Sequence, residues 1–121
     1  MNPRESQQVF KVTTRAAWEC ARATGTLSAS ADDERDGFIH LSAAHQLAAT
    51  LAKHFKARTD LMLIEISAAA LGDDLRWERS RGQDFFPHLY ASLPVAAVRA
   101  AFPLELDANG THVLPQDVGQ C

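Results

Sequence analysis

The side chains best suited to chemistry in this sequence fall on three short segments. In Gly37-Phe38-Ile39-His40-Leu41-Ser42, the residues Phe38, His40 and Ser42 alternate with Ile39 and Leu41. Successive side chains of an extended chain point to opposite faces, so Phe38, His40 and Ser42 share one face. By the same rule Arg76 and Glu78 lie opposite Leu75 and Trp77, and Phe86, His88 and Tyr90 lie opposite Pro87 and Leu89. Each segment therefore has one apolar face and one face of polar and aromatic groups. If the apolar faces meet the helices, then His40, Ser42, Arg76, Glu78, His88 and Tyr90 converge, with Phe38 and Phe86 as flat walls. A few placed polar groups among aromatic rings is the composition of a ligand cleft.

Other readings of the same residues stay open. A solvated strand face accounts for any one of them singly, but histidine, tyrosine and phenylalanine together are unusual on a face that meets only water. Arg76 and Glu78 can form a surface ion pair worth under ~1 kcal/mol. Ser42 can cap the following helix, worth about 1 kcal/mol. Trp77 reads as core. Glu65 interrupts an apolar segment, so it faces the cleft, pairs with an arginine or marks a strand end. Asp36, before Gly37, reads as a turn residue. His40, Glu78 and His88 would make a two-histidine, one-carboxylate metal set if their strands adjoin. That leaves a metal-dependent hydrolase as an alternative. His45 and His54 fall on opposite faces of one expected helix and cannot share an ion. His112, near the last turn, reads as exposed. The sequence has no HExxH, no cysteine cluster, no G-x-S-x-G elbow and no glycine-rich phosphate loop.

These segments need a frame to position them. Val9 to Val12 reads as a strand, followed by a helix from Arg15 to about Ala23 capped by Thr13 or Thr14 and stopped by Gly25. Ser28 to Arg35 reads as a polar loop. After the strand Gly37 to Ser42, the residues Ala44, Leu47, Ala48, Leu51 and Phe55 recur at helical spacing and predict a helix over 43–55. Leu61 to Ile66 is a buried central strand, and Ala68 to Leu71 one helical turn. Leu75 to Ser80 and Phe85 to Ala91 form a hairpin around Arg81-Gly82-Gln83-Asp84. Ala96 to Leu106 starts as a helical turn and ends as a strand, which Pro103 assigns to a sheet edge. Asn109-Gly110 turns the chain into a last strand, Thr111 to Leu114. The expected fold is a single α+β domain over residues 9–114, a mixed β-sheet with two main helices. Residues 1–8 are expected to be disordered and 115–121 to be a flexible tail.

Bulk properties narrow the partners. A 121-residue chain of 13.2 kDa makes one domain with a core of its own. A net charge of -3 argues against a broad nucleic-acid-binding face. Cys20 and Cys121 are the only cysteines, so no disulfide framework is implied. The N-terminal residues lack an apolar signal core, and no apolar run approaches membrane-spanning length. The expected setting is the cytoplasm, with a small-molecule or nucleotide ligand as partner.

The combination Asp36-Gly37-Phe38-Ile39-His40-Leu41-Ser42, Gln46, Arg76-Trp77-Glu78 and Phe86-Pro87-His88-Leu89-Tyr90 resembles domain-of-unknown-function family 952, found in bacteria and plants. The likeness spans about Val9 to Leu106. More distantly the chain resembles the ADP-ribosyltransferase superfamily. That resemblance implies an ADP-ribosyltransferase-like fold, NAD or an ADP-ribose-like nucleotide as ligand, and transfer or hydrolysis at the ribose C1. It gives His40 a contact with NAD, His88 or Tyr90 a contact with the nicotinamide, and Glu78 a contact with the ribose. Phe38, Ser42, Arg76 and Phe86 complete the expected ligand-binding set. A non-catalytic binding or interaction module using the same cleft is the alternative.

Overall fold

A computed structural model of the chain describes residues 8–79 and 84–115. In chain order the elements are β1 (Gln8–Thr14), α1 (Arg15–Thr24), β2 (Thr26–Leu27), α2 (Ala31–Asp36), β3 (Ile39–His40) and β4 (Ser42–Ala43). A 3-10 turn, Ala44–Gln46, leads into α3 (Leu47–His54). Then follow β5 (Leu61–Ser67), α4 (Ala68–Leu71), β6 (Leu75–Arg79), β7 (Phe85–Leu89), β8 (Leu93–Pro94), β9 (Val98–Leu106) and β10 (His112–Val113). The fold is α+β. Its strand pairings among the described residues are all antiparallel, where a mixed sheet was expected.

The main sheet runs β10-β9-β5-β1-β4, a second runs β3-β7-β6, and β2 pairs with β8. The apolar segment Leu61 to Ile66 lies at the centre of the main sheet, as its composition predicts. Its alternate residues feed two cores. Val9, Met62, Ile64 and Ile66 face Trp18 and Ala21 of α1 together with Ile39 and Leu89 of the smaller sheet. Phe10, Val12, Leu61 and Leu63 face Leu47 and Leu51 of α3. The apolar face of the smaller sheet thus packs on the main sheet as well as on a helix. Trp77 joins that first core, in line with its sequence reading.

The chain passes from one sheet to the other within three residues. Ile39 and His40 pair with β7, Leu41 N–H donates to Pro87 C=O at 3.1 Å, and Ser42 and Ala43 pair with β1. Gly37 to Ser42 is therefore not one strand but two short ones in different sheets. This step closes the smaller sheet against the edge of the larger one.

Local signals hold where they are strong. Thr14 Oγ1 accepts from Ala17 N–H, and Gly25 ends α1 at a φ of 92° that a glycine adopts without strain. Pro103 sits where β9 has β5 on one side only, because β10 reaches just Glu105 and Leu106. The helix over 43–55 begins later than expected, and Ser42 does not cap it. Ala43 is the N-cap residue of the 3-10 turn, and its N–H donates to the Gln46 side chain at 2.9 Å. Most of the hairpin loop around Arg81-Gly82-Gln83 lies outside the described residues, as do residues 1–7 and 116–121.

The polar stretch Ser28 to Arg35 is the main correction. From Ala31 it is helical. Ser30 Oγ accepts from Asp33 N–H, and the Asp33 carboxylate accepts in return from Ser30 N–H, a reciprocal cap. Asp ranks low in helix propensity, but acidic groups in a first turn suit the helix dipole.

Candidate functional site

The three strands that carry the candidate residues adjoin, with β7 in the middle. His40 lies opposite His88, which lies opposite Arg76; Phe86 lies opposite Glu78. Strand parity and register together bring Phe38, His40, Arg76, Glu78, Phe86, His88 and Tyr90 to the same side. The Phe38 ring stacks on His88 at 4.0 Å between centroids and leans on His40 at 4.7 Å and Tyr90 at 5.3 Å.

The groups on this face divide into two clusters. In the first, Glu78 Oε1 accepts from Tyr90 OH at 2.6 Å and from His88 Nδ1 at 2.8 Å. The Tyr90 and His88 hydrogen bonds hold the Glu78 carboxyl below its ordinary range, and the Glu78 bond raises the Tyr90 phenol. With Nδ1–H donating to Glu78, the neutral His88 ring presents Nε2 as an acceptor. His88 is only 5% exposed. Arg76 does not pair with Glu78 as an ion pair. Its guanidinium lies over the Tyr90 ring at 4.9 Å.

Tyr90 is the chain's one tyrosine. Phenolate absorbance during an alkaline titration therefore reads it alone. Glu78→Gln is expected to lower the midpoint toward that of a free phenol, because the charged acceptor is gone. An unchanged midpoint would mean that the Tyr90–Glu78 bond does not hold in solution.

The second cluster surrounds His40. Its Nδ1 lies 2.7 Å from Asp33 Oδ1 and its Nε2 2.8 Å from Asp36 Oδ2. Carboxylates only accept, so both bonds form together only when both ring nitrogens carry a proton. Asp33 is 2% exposed and also accepts from the backbone N–H of His40 and Ser30. Lys11 Nζ, on a side chain 8% exposed, donates to Asp33 Oδ2 at 2.8 Å and to His40 C=O at 3.2 Å. Asp36, at the end of α2, is held below its ordinary range chiefly by Arg35, with His40 adding to it. Asp36 is thus more than a turn residue.

Two clefts adjoin here. One, of about 210 Å³, lies between α3 and the strands; Ser42, Thr50, Lys53, Phe86 and His88 are among its walls. The other, of about 250 Å³, is bounded by Lys11, Phe38 and the Asp33 and Asp36 side of α2. They share His40, Leu41, Ser42, Thr50 and His54. Ser42 Oγ lies 3.2 Å from Thr50 Oγ1. Gln46, buried, reaches Phe85 C=O at 2.9 Å and ties the start of α3 to β7.

The site expected from the sequence is thus partly regrouped. His40, Ser42, Phe86 and His88 line the first cleft, and Phe38 lines the second. Glu78, Arg76 and Tyr90 line neither and stand behind His88. Glu65 also lines neither; it lies on the α3 side of β5, in register with Phe10. His40, Glu78 and His88 are not gathered around one point, because His40 turns to α2 and Glu78 bonds His88 directly. Among the described residues no three metal-ligating side chains cluster. His45 falls in the 3-10 turn rather than on α3, and His112 is half-buried with Nε2 2.8 Å from Arg58 C=O. Lys11, Asp32, Asp33, Arg35, Thr50, Lys53 and His54 are among the wall residues that sequence reasoning missed. Ser30-x-x-Asp33 is a capping pattern and was the available signal for Asp33.

No helix among the described residues is long and apolar enough to cross a membrane. A family model described as a protein of unknown function, DUF952, matches residues 12–101. The crystal structure of protein CC0527 from Caulobacter crescentus is similar at a TM-score of 0.84 and 45% identity, over 88% of this chain and 93% of that one. The solution NMR structure of CC0527 gives a TM-score of 0.78 at 46% identity, over 86% and 90%. Among curated proteins nothing matches.

Proposed function

The chain belongs to the DUF952 family of proteins of unknown function, and we propose that it binds a small nucleotide of the NAD or ADP-ribose class in the paired clefts around His40. The observation that carries this reading is the shared wall. Two clefts of about 210 and 250 Å³ meet along His40, Leu41 and Ser42, a shape suited to a ligand of two linked halves. The sequence resemblance to ADP-ribosyltransferases supplies the nucleotide class. Phe38 and Phe86 offer flat apolar surface to its rings.

His88 is the proton acceptor of the site, and Glu78 is its positioning residue, holding the ring through Nδ1. This alters the role given to Glu78. Cleavage at a ribose C1 develops positive charge on the sugar, and a carboxylate beside it lowers that barrier. Glu78 Oε1 already accepts two hydrogen bonds outside the cleft, which favours a second reading: recognition of the nucleotide without its cleavage. We place either activity in the cytoplasm, where an exposed free thiol such as Cys20 stays reduced.

Titrating NAD into labelled protein tests the proposal. Saturable shifts at His40, Thr50, Phe86 and His88 are expected, and His40→Ala with His88→Ala should weaken binding by about tenfold or more. Free nicotinamide in the sample would mark an enzyme, and its absence a binding module. If millimolar NAD moves none of these signals, or the double variant binds as well as the parent, the nucleotide reading fails.

A further inference from the structure

The two clefts differ in charge. Lys53 and His88 line the first alone, His40 and His54 line both, and no Asp or Glu lines the first. Asp32, Asp33 and Asp36 line the second, opposite Lys11, Arg35 and His40. On the nucleotide reading of this site, we infer that the ligand enters with a defined polarity: a phosphoryl group in the first cleft, and a hydrogen-bond-donating hydroxyl against Asp36 in the second.

The charges in the second cleft are internally matched. Lys11 pairs with Asp33, Arg35 with Asp32 and Asp36, and His40 lies between Asp33 and Asp36. A phosphoryl group gains little attraction there and meets carboxylates. In the first cleft the balance is reversed. Lys53 supplies a full positive charge that no carboxylate of the cleft offsets. Ser42 and Thr50 together own two hydroxyl protons, and their mutual bond uses one, so one O–H remains to donate. The C-terminal end of α3 brings partial negative charge, which Lys53 and His54 in its last turn counter. At about 210 Å³ the cleft has room for a phosphorylated sugar but not for a whole dinucleotide, so the remainder must extend past His40. Asp36 is exposed enough to receive it and is already oriented by His40 Nε2 at 2.8 Å.

Inorganic phosphate, ribose 5-phosphate and ribose, each added to labelled protein, test this polarity. Both phosphates are expected to shift the Ala49, Lys53, Phe86 and His88 amides, which belong to the first cleft alone, saturably and more weakly as salt rises. Ribose alone should leave those amides unmoved. Lys53→Glu should weaken phosphate binding by about tenfold or more, with only a small fall in the thermal midpoint, because Lys53 is exposed and its reversal costs no more than a surface helix-dipole interaction. Phosphate binding that ignores Lys53→Glu, or shifts confined to residues 30–36, overturns the inference. The nucleotide reading fails separately. NAD binding that inorganic phosphate does not compete with removes the phosphoryl subsite and leaves that reading standing. Phosphate binding in the first cleft without any NAD binding keeps the subsite and removes the nucleotide.

Discussion

Asp33→Ala is expected to cost the fold about 3–5 kcal/mol, seen as a lower urea midpoint with an unchanged slope. The loss is large because of what stays behind. Lys11 Nζ sits on a side chain 8% exposed and would keep only its 3.2 Å bond to His40 C=O. The backbone N–H groups of Ser30 and His40 would also lose their acceptor. Adding Lys11→Met should recover part of the loss, because the uncompensated charge is then gone, and the double-variant cycle measures the coupling. A cost for Asp33→Ala below about 1 kcal/mol would place the pair in the range of solvent-exposed ion pairs and contradict its burial.

Acid should remove stability in a defined window. Burial, the largest single influence on Asp33, pushes its carboxyl up. The Lys11 charge and hydrogen bond, with the His40 and Ser30 N–H groups, outweigh it and hold the group at about 2 against an ordinary 3.8. A carboxyl depressed in the folded state contributes its stability fully above the unfolded value and loses it as pH falls through the folded value. The contribution of Asp33 is therefore present above pH 3.8 and disappears as pH falls to about 2. The size is roughly 2–3 kcal/mol, at about 1.36 kcal/mol per pH unit of difference. Glu78 is depressed too and acts in the same direction. Urea midpoints of the parent and of Asp33→Asn, followed down through this window, should approach one another. A gap that stays constant would mean that Asp33 does not titrate there.

The sequence carried much of the small sheet. Alternation placed Arg76 and Glu78 on one face, and Phe86 and His88 on one face, because side-chain direction along a strand is a local property. The run Leu61 to Ile66 announced its central position because a strand buried on both faces shows no polar alternation, and Glu65 is its one polar residue. Thr14 and Gly25 bounded α1 through bonds made within a few residues. Ser42 is no cap because Ala43 holds the N-cap position and the Ser42 hydroxyl bonds that of Thr50.

What the sequence determined by itself was the set of faces: which residues point together on each strand, and which strand lies deepest. Only the tertiary structure decided which faces meet. Lys11 and Asp33 are 22 residues apart, and no periodicity relates them. Their pairing exists because β4 docks on β1 and carries β3 and α2 with it. The turn from α2 into β3 sets His40 between two carboxylates, and the pairing of β6 with β7 sets Glu78 on His88, arrangements that residue type alone does not specify. Local rules act through bonds that span a turn or a pleat. The charge a side chain meets across a cleft depends on the folding of the whole chain.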